Sequence, residues 1–158
     1  MSVFTKIIAG EIPGRFVWAD EVCVAFATIE PQVPGHVLVV PRAEVESLID
    51  ADEALVAHLA VVSQRIAATQ VRVFEAVRPG IMVVGLDVPH LHIHVLPLHS
   101  SADMALSVAR AVPGEELDTA MELLRTGLVD DGWGQFVPES MGSAATGLAA
   151  AAGTAVSV

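Results

Sequence analysis

The most informative segment of this sequence is His90-Leu91-His92-Ile93-His94-Val95-Leu96. Half of the 6 histidines of the chain lie in it, at every second position. Residues two apart in a β-strand point to the same face of the sheet, so the spacing predicts a strand with all three imidazoles on one face. The apolar residues between the histidines are then directed into the core.

Three interpretations of such a histidine face differ in their chemistry. A merely solvated face would more often carry Thr, Lys, Glu or Ser, which makes this interpretation the weakest. Neutral imidazoles at alternate strand positions can converge on zinc or copper. Imidazole can also attack phosphorus and form a phosphoramidate that water later cleaves, provided that one ring nitrogen is neutral and nearby donors stabilise the developing charge. The residue pattern alone leaves the metal site and the covalent catalyst open.

Short apolar runs bounded by turn residues predict further strands on both sides of this segment. The predicted strands are Arg15–Ala19 and Val22–Ala27 as a hairpin, His36–Val40 and Ile81–Val84 as buried strands, and the histidine strand, which Pro97 closes. A short helical opening is predicted at Phe4–Ile8. Pro79 and Gly80 are expected to end any regular element before Ile81.

Two longer helices are predicted by apolar residues that recur with helical spacing. The first begins after Asp50, which with Glu53 resembles a capping box, and runs to about Val73. Its apolar stripe consists of Leu55, Leu59, Val62 and Ile66, with Ser63 and Gln70 placed elsewhere. The second covers Glu115–Thr126. Short strands and two helices with hairpin-length connections predict an α+β fold with a mainly antiparallel sheet.

Length and charge limit the class of protein. The 158 residues suit one domain, and we assign 1–135 to that domain and 136–158 to a flexible Ala/Gly/Ser-rich tail. The net charge is -11 and the cations are not clustered, so no nucleic-acid partner is expected. The composition of the tail argues against a membrane partner. With no signal pattern at the start and a single cysteine, we expect a cytoplasmic protein without disulfides.

Four ordered blocks of the sequence resemble the histidine-triad (HIT) superfamily, in particular its Hint-like branch of bacterial HIT-domain proteins. The blocks are Phe4–Pro13, Ala25–Pro31, Pro34–Pro41 and the histidine segment. The resemblance implies a five-stranded, mainly antiparallel sheet with two helices, continued across a homodimer. It also implies hydrolysis or transfer at the α-phosphorus of nucleoside phosphoramidates or related nucleotide esters, with a purine nucleotide as substrate and no cofactor.

Site residues follow from the resemblance by position. His92 is the covalent nucleophile, and the main-chain carbonyl of His90 orients its imidazole. His94 contacts the phosphate and the leaving atom, with His36 as a supporting histidine. The nucleotide-binding positions are Phe4, Ile7, Ile12, Phe26 and Ile29 around the base, Thr28 at the ribose, and Gly85 and Asp87 in the loop before the triad. Ordinary core packing is the alternative for the five apolar residues.

Several positions depart from the family pattern. Thr28 stands where an Asp commonly holds the ribose hydroxyls. Leu86 replaces a Gln, and Asp87 replaces a phosphate-contacting hydroxyl, where an ionised carboxylate would repel phosphate. These departures keep two other functions open: a non-catalytic nucleotide-binding homodimer, and a histidine-rich metal-binding protein.

A structural zinc ion, which some bacterial relatives carry, is not expected in this chain. Its ligand positions correspond here to Ser2, Thr5 and Glu44, which offer neither thiolate nor imidazole. The two remaining histidines, His58 and His99, are expected to be surface or packing residues.

Overall fold

Hydrogen bonds join five short strands into one antiparallel sheet in the computed structural model, which describes residues 1–146. In chain order the elements are α1 (Val3–Ile8), β1 (Phe16–Ala19), β2 (Cys23–Ala27), β3 (Val37–Pro41), α2 (Glu53–Val73), β4 (Arg78–Met82), β5 (Ile93–Leu98) and α3 (Gly114–Leu128). The predicted α+β architecture is confirmed, with the short α1 as a third helix beside the two long ones.

The strand order across the sheet places the histidine strand in the interior. The order is β1-β2-β3-β5-β4, so β5 lies between β3 and β4. Leu38 of β3 pairs directly with His94 of β5. Because residues two apart share a face, His36 at the start of β3 lies diagonally across from His94. The topology therefore brings a histidine distant in sequence onto the predicted histidine face.

The two faces of the sheet bury different residues. On one face, α2 and α3 cover a core that includes Leu59, Val62, Ile66, Leu91, Ile93 and Val95. On the other face, Phe4 of α1 packs with Phe26 and Leu38, and its ring centroid lies 5.0 Å from that of His92. The predicted alternation is confirmed, because the apolar residues of the histidine segment enter the helix-covered core and the histidines face the side of α1. The predicted strand is wrong at its start: β5 begins at Ile93, so His90 and His92 precede it and only His94 lies within it.

The predicted N-cap of α2 is wrong by two residues. Asp50 ends a separate 3-10 turn at Leu48–Asp50. Asp52 caps the helix instead, because its carboxylate accepts a hydrogen bond from the amide of Leu55 at 2.8 Å.

Strand β4 also differs from the prediction, which placed a buried strand at Ile81–Val84. The strand forms the sheet edge, includes Pro79, and leaves Ile81 49% exposed. Pro97 likewise lies within β5, opposite Pro79, instead of closing it. The β3 ladder ends at Val95, so Pro97 has only the edge strand beside it, and prolines are tolerated where no further strand needs their missing N–H.

The segment after α3 covers the other edge of the sheet. Phe136 stacks on Trp18 of β1 with ring centroids 4.6 Å apart. The amide of Phe16 donates to the carbonyl of Met141 at 2.7 Å. The packed part of the chain therefore extends beyond residue 135, where the predicted tail begins, and residues 147–158 of that tail lie outside the described residues.

Helix α2 is long and apolar enough, by length and composition alone, to cross a membrane. Its apolar stripe faces the sheet, and Leu59, Val62 and Ile66 are 0%, 1% and 0% exposed. Packing in the core accounts for this hydropathy.

Candidate active site

His90 is completely buried, and both of its ring nitrogens are hydrogen-bonded. Nε2 lies 2.8 Å from the carbonyl oxygen of Pro41, and Nδ1 lies 2.6 Å from Oγ of Ser2. A carbonyl oxygen only accepts hydrogen bonds, so Nε2 carries the proton and Nδ1 accepts from the hydroxyl of Ser2. These bonds hold the imidazole in one tautomer and one orientation.

The main chain of His90 in turn orients His92. Nδ1 of His92 lies 2.7 Å from the carbonyl oxygen of His90 and must donate to it. Burial lowers the pKa of His92, the bond to the His90 carbonyl partly opposes this, and repulsion from His90 adds to the lowering. His92 is therefore neutral at neutral pH, with an unprotonated Nε2 that is available as a nucleophile.

A second chain of hydrogen bonds fixes the tautomer of His94. The amide of Gln32 donates to Nδ1 of His36 at 3.1 Å, so Nε2 of His36 carries that ring's proton. This Nε2 lies 2.9 Å from Nδ1 of His94 and donates to it. Nε2 of His94 is therefore the protonated nitrogen. Since the rings of His92 and His94 are 5.1 Å apart, a nucleophilic nitrogen and an N–H donor lie side by side.

Burial keeps these supporting histidines neutral. It lowers the pKa of His36 to about 3, with repulsion from His94 adding to the effect. It also lowers the pKa of His94 to about 4, with repulsion from His92 as the smaller cause. At neutral pH both rings are therefore uncharged. The main-chain amide of Gln32 donates to His36, and His36 donates to His94.

These lowered pKa values predict a loss of stability in mild acid. A histidine in the unfolded chain titrates near pH 6.5, so below that pH the unfolded state binds more protons than the folded state. The free energy of unfolding should fall as the pH decreases from 6.5 towards the folded pKa, with His36 contributing about 2 to 3 kcal/mol between pH 7 and 4.5. Urea unfolding at several pH values measures this slope.

The variant His36→Asn should show a shallower pH dependence of stability than the wild type. His99→Asn is the matched control, because this exposed ring contacts only the carbonyl of Phe74, and it should keep the wild-type slope. Equal slopes in wild type and His36→Asn would contradict the prediction.

The predicted base-binding residues divide into two groups. Phe4 and Phe26 are buried, and Ile7 packs against the same apolar cluster beside His92. Ile12 is half-buried outside this cluster, and Ile29 is 70% exposed. Of the five, Phe4 contacts His92, and Phe26 and Ile7 pack in the same cluster as Phe4.

The predicted ribose and phosphate residues lie at the surface. Thr28 is half-buried and accepts a hydrogen bond from the amide of Glu30 at 3.4 Å. Gly85 has a positive φ of 68°, and together with Leu86 and Asp87 it is exposed in the loop that leads to His90. This loop lies directly before the histidine segment.

The residues at the family's zinc positions lie together but do not fit the metal. Thr5 donates to the carboxylate of Glu44 at 2.7 Å, which lowers the pKa of that carboxyl, and Oγ of Ser2 bonds to His90. The donors are two neutral hydroxyls, a carboxylate, and an imidazole whose nitrogens are both occupied. Zinc prefers thiolates and free imidazole nitrogens, so hydrogen bonds take the place of a metal here.

Within residues 1–146, the one group of potential metal ligands with converging atoms lies away from the triad. It consists of Asp20, Cys23 and His58, within 4.8 Å of one another. Both oxygens of Asp20 already accept hydrogen bonds, from the amides of Val22 and Cys23 and from Trp18 and His58. These bonds together outweigh burial and lower the pKa of Asp20, while burial raises that of the Cys23 thiol. The group acts as a hydrogen-bonded turn, and His58 is a packing residue as predicted.

Sequence reasoning missed two residues that position the site. Gln32 supplies the amide that sets the tautomer of His36. Gln70, predicted to lie off the buried stripe of α2, is completely buried, and its side-chain amide donates to the carbonyls of Gly35 and Val95 at 2.8 and 2.9 Å. A glutamine at a core-facing helical position was the available signal. Ser63, also predicted off the stripe, is completely buried too.

A cavity of about 650 Å³ lies on the far side of His36, between the loop at 31–36, Phe74, Arg110 and the first turns of α3. Among the described residues, none of the eight predicted nucleotide-binding positions lines it. Of the four clustered histidines, His36 lines this cavity and His90, His92 and His94 do not.

A five-stranded antiparallel sheet with four histidines gathered at its central strands β3 and β5 is typical of a histidine-triad protein. The model of the HIT domain family matches residues 9–101, and the chain belongs to this family. At the family level it is a nucleotide-related hydrolase or binding protein. An uncharacterized HIT-like protein from Synechococcus elongatus is 40% identical over 105 residues, which cover 60% of this chain and 88% of that protein.

Solved structures show the same fold. A zinc-bound histidine triad family protein from Mycobacterium smegmatis superposes with a TM-score of 0.73 at 29% identity, covering 82% of this chain and 94% of that chain. A hypothetical histidine triad nucleotide-binding protein from Sulfolobus tokodaii has a TM-score of 0.69 at 25% identity, covering 80% of this chain and 91% of that chain.

Proposed function

We propose that the protein is a nucleotide hydrolase or transferase that acts at the α-phosphorus of nucleoside phosphoramidates or related nucleotide esters. The observation that carries the proposal is the pair of opposite tautomers at the centre of the site. Nε2 of His92 is unprotonated, and Nε2 of the neighbouring His94 carries a proton. A nucleophile beside a donor suits displacement at phosphorus, and the similarity to a nucleotide-binding protein from Sulfolobus tokodaii supports a nucleotide as ligand.

The first step forms a bond between Nε2 of His92 and the α-phosphorus and breaks the bond to the leaving group. As it binds, the negative phosphate raises the pKa of His94, so that Nδ1 of this ring takes up a proton from solvent and the hydrogen bond from Nε2 of His36 breaks. Protonated His94 gives its Nε2 proton to the departing nitrogen or oxygen and returns to the neutral state. The positive charge on the nucleotidyl-His92 ring is stabilised by the bond from its Nδ1 to the carbonyl of His90.

The second step releases the nucleotide. Water attacks the phosphorus, the now unprotonated Nε2 of His94 accepts a proton from that water, and the bond between phosphorus and Nε2 of His92 breaks with its electrons returning to His92. His94 then releases its Nδ1 proton to solvent, which restores the hydrogen bond from Nε2 of His36. In a transferase reaction, another hydroxyl or amine takes the place of water. Phe4, whose ring centroid lies 5.0 Å from that of His92, supplies an apolar contact for the base.

Adenosine 5′-phosphoramidate is the substrate for the decisive test. AMP release is followed over time, and samples quenched within milliseconds are analysed by intact-protein mass. We expect AMP release together with an adduct of nucleotidyl mass. Folded protein that gives neither release nor adduct would refute the proposal.

A non-catalytic nucleotide-binding protein is the second candidate. The exposed carboxylate of Asp87 in the loop before the triad favours it, because this charge disfavours a phosphate in transit to His92. Calorimetric binding of AMP without turnover or adduct would favour this candidate. The third candidate, a metal-binding triad, is not favoured, because within residues 1–146 the converging group of potential metal ligands is Asp20, Cys23 and His58 and includes no histidine of the triad.

We further propose that two copies associate through β4. This strand is the uncovered edge of the sheet, and Val77, Ile81 and Val83 along it are 60%, 49% and 39% exposed. A free edge with apolar side chains is a template for pairing with a second strand. Sedimentation velocity should give twice the chain mass of 16.5 kDa.

Lysine at position 81 tests this interface. Ile81→Lys should weaken the dimer at least about tenfold, because charged side chains block edge pairing. The matched control is Ile49→Lys, since Ile49 is 92% exposed in a turn and should tolerate the change. A monomeric wild type, or a dimer that Ile81→Lys leaves unchanged, would contradict the proposal.

A further inference from the structure

We infer that Ser2 is a positioning residue for the nucleophile, acting through His90 on His92. The inference rests on the proposed covalent mechanism. Ser2, the N-cap residue of α1, thereby affects catalysis without touching the reacting atoms.

The hydrogen bonds around Ser2 allow its hydroxyl proton only one position. Its oxygen accepts the amide proton of Thr5 at 3.1 Å, as the N-cap of α1. The hydroxyl of Thr5 donates to Glu44, so the 3.2 Å contact between the two hydroxyl oxygens carries no proton from Thr5. Nδ1 of His90 needs a donor because its Nε2 proton points to the carbonyl of Pro41. The single proton of the Ser2 hydroxyl therefore goes to His90, at 2.6 Å.

The position of His90 determines the orientation of His92. Its ring is fixed at both ends, by Ser2 and by Pro41, and its own carbonyl accepts the Nδ1 proton of His92. Ser2 is 7% exposed and His90 is 0% exposed, so water does not readily replace the serine hydroxyl. Loss of the donor would leave a buried acceptor unpaired, and the ring and the attached peptide would shift to relieve it. A displacement of about 1 Å at a reacting group can cost on the order of 100-fold in rate.

Three substitutions separate this role from helix capping. Ser2→Asp keeps a good N-cap for α1 but replaces the hydroxyl donor with an acceptor. Ser2→Thr keeps both the cap and the donor, and Ser2→Ala loses both. Asp52→Ala is the matched control, because it removes the N-cap of α2, whose carboxylate bonds to the amide of Leu55 away from the triad.

The experiment combines kinetics with imidazole ¹⁵N chemical shifts in the full chain. We expect Ser2→Ala and Ser2→Asp to lower kcat for adenosine 5′-phosphoramidate by about 10- to 100-fold with little change in KM. Ser2→Thr and Asp52→Ala should leave kcat close to the wild-type value, because neither removes the hydroxyl donor to His90. The wild-type His90 ring should show a protonated Nε2 and an unprotonated Nδ1, and Ser2→Asp should move the single ring proton from Nε2 to Nδ1, which breaks the bond to the carbonyl of Pro41.

The two readouts distinguish failure of this inference from failure of the proposed function. Wild-type kcat in Ser2→Asp, or a His90 ring whose ¹⁵N shifts do not change in it, would overturn the positioning role. A similar loss of kcat in Asp52→Ala would also overturn it, because the effect would then follow from stability alone. If wild-type protein forms no adduct, the function fails, while the ¹⁵N shifts still report whether Ser2 sets the tautomer of His90.

Discussion

Replacement of His92 by asparagine is expected to lower kcat for adenosine 5′-phosphoramidate by at least about 10⁴-fold, as loss of a covalent nucleophile does in other enzymes. Asparagine retains an N–H group that can donate to the carbonyl of His90, the partner of Nδ1 in the wild type at 2.7 Å. The fold should therefore be kept while the nucleophilic nitrogen is lost. The nucleotidyl adduct should vanish from the intact-protein mass spectrum in the same variant.

Two further variants test whether the loss of turnover is specific to His92. His99→Asn changes an exposed histidine outside the triad and should retain wild-type turnover and adduct. His92→Gly supplied with free imidazole should recover part of the turnover without an adduct on the protein. Undiminished turnover in folded His92→Asn would rule out a covalent intermediate at this residue.

Replacement of His94 by asparagine is expected to give a loss that depends on the leaving group. Asparagine can still accept from Nε2 of His36 and donate to a phosphate, but it cannot transfer a proton. For a nucleoside phosphoramidate with an alkylamine leaving group, kcat should fall by about 10²- to 10⁴-fold, the usual contribution of general acid catalysis. For a nucleotide ester of 4-nitrophenol, which departs without a proton, the formation of the adduct should be nearly unaffected.

Measurement of both substrates on both proteins supplies the control within one experiment. The ratio of the two rates should change in His94→Asn and stay at the wild-type value in His99→Asn. An equal loss for the two leaving groups would mean that His94 contributes charge stabilisation or orientation and does not donate the proton.

The sequence predicted most of the elements and the catalytic face because both depend on periodic patterns. Alternation in the segment from His90 to Leu96 specified which side chains enter the core, and helical spacing specified the buried stripe of α2. The resemblance to the HIT family added His36, which lies 58 positions from His94 in sequence and meets it only through the pairing of β3 with β5.

What the sequence left out depends on hydrogen bonds between distant or main-chain groups. No pattern predicts that the amide of Gln32 reaches His36, or that the side chain of Gln70 joins the carbonyls of Gly35 and Val95. The prolines of β4 and β5 led to wrong strand boundaries for a different reason. A proline stops a strand only where a neighbour needs its N–H, and strand order decides where that is.

The seam where the segment after α3 packs on β1 can be followed by tryptophan fluorescence. The chain has 2 tryptophans and no tyrosine, and both tryptophans lie in this seam, with ring centroids 6.1 Å apart. The ring of Trp133 is also covered by the guanidinium of Arg65 at 4.2 Å. Intrinsic fluorescence therefore reports on the packing of Trp133 and Phe136 against Trp18. A nucleotide titration monitored by tryptophan emission would respond where binding also displaces this segment.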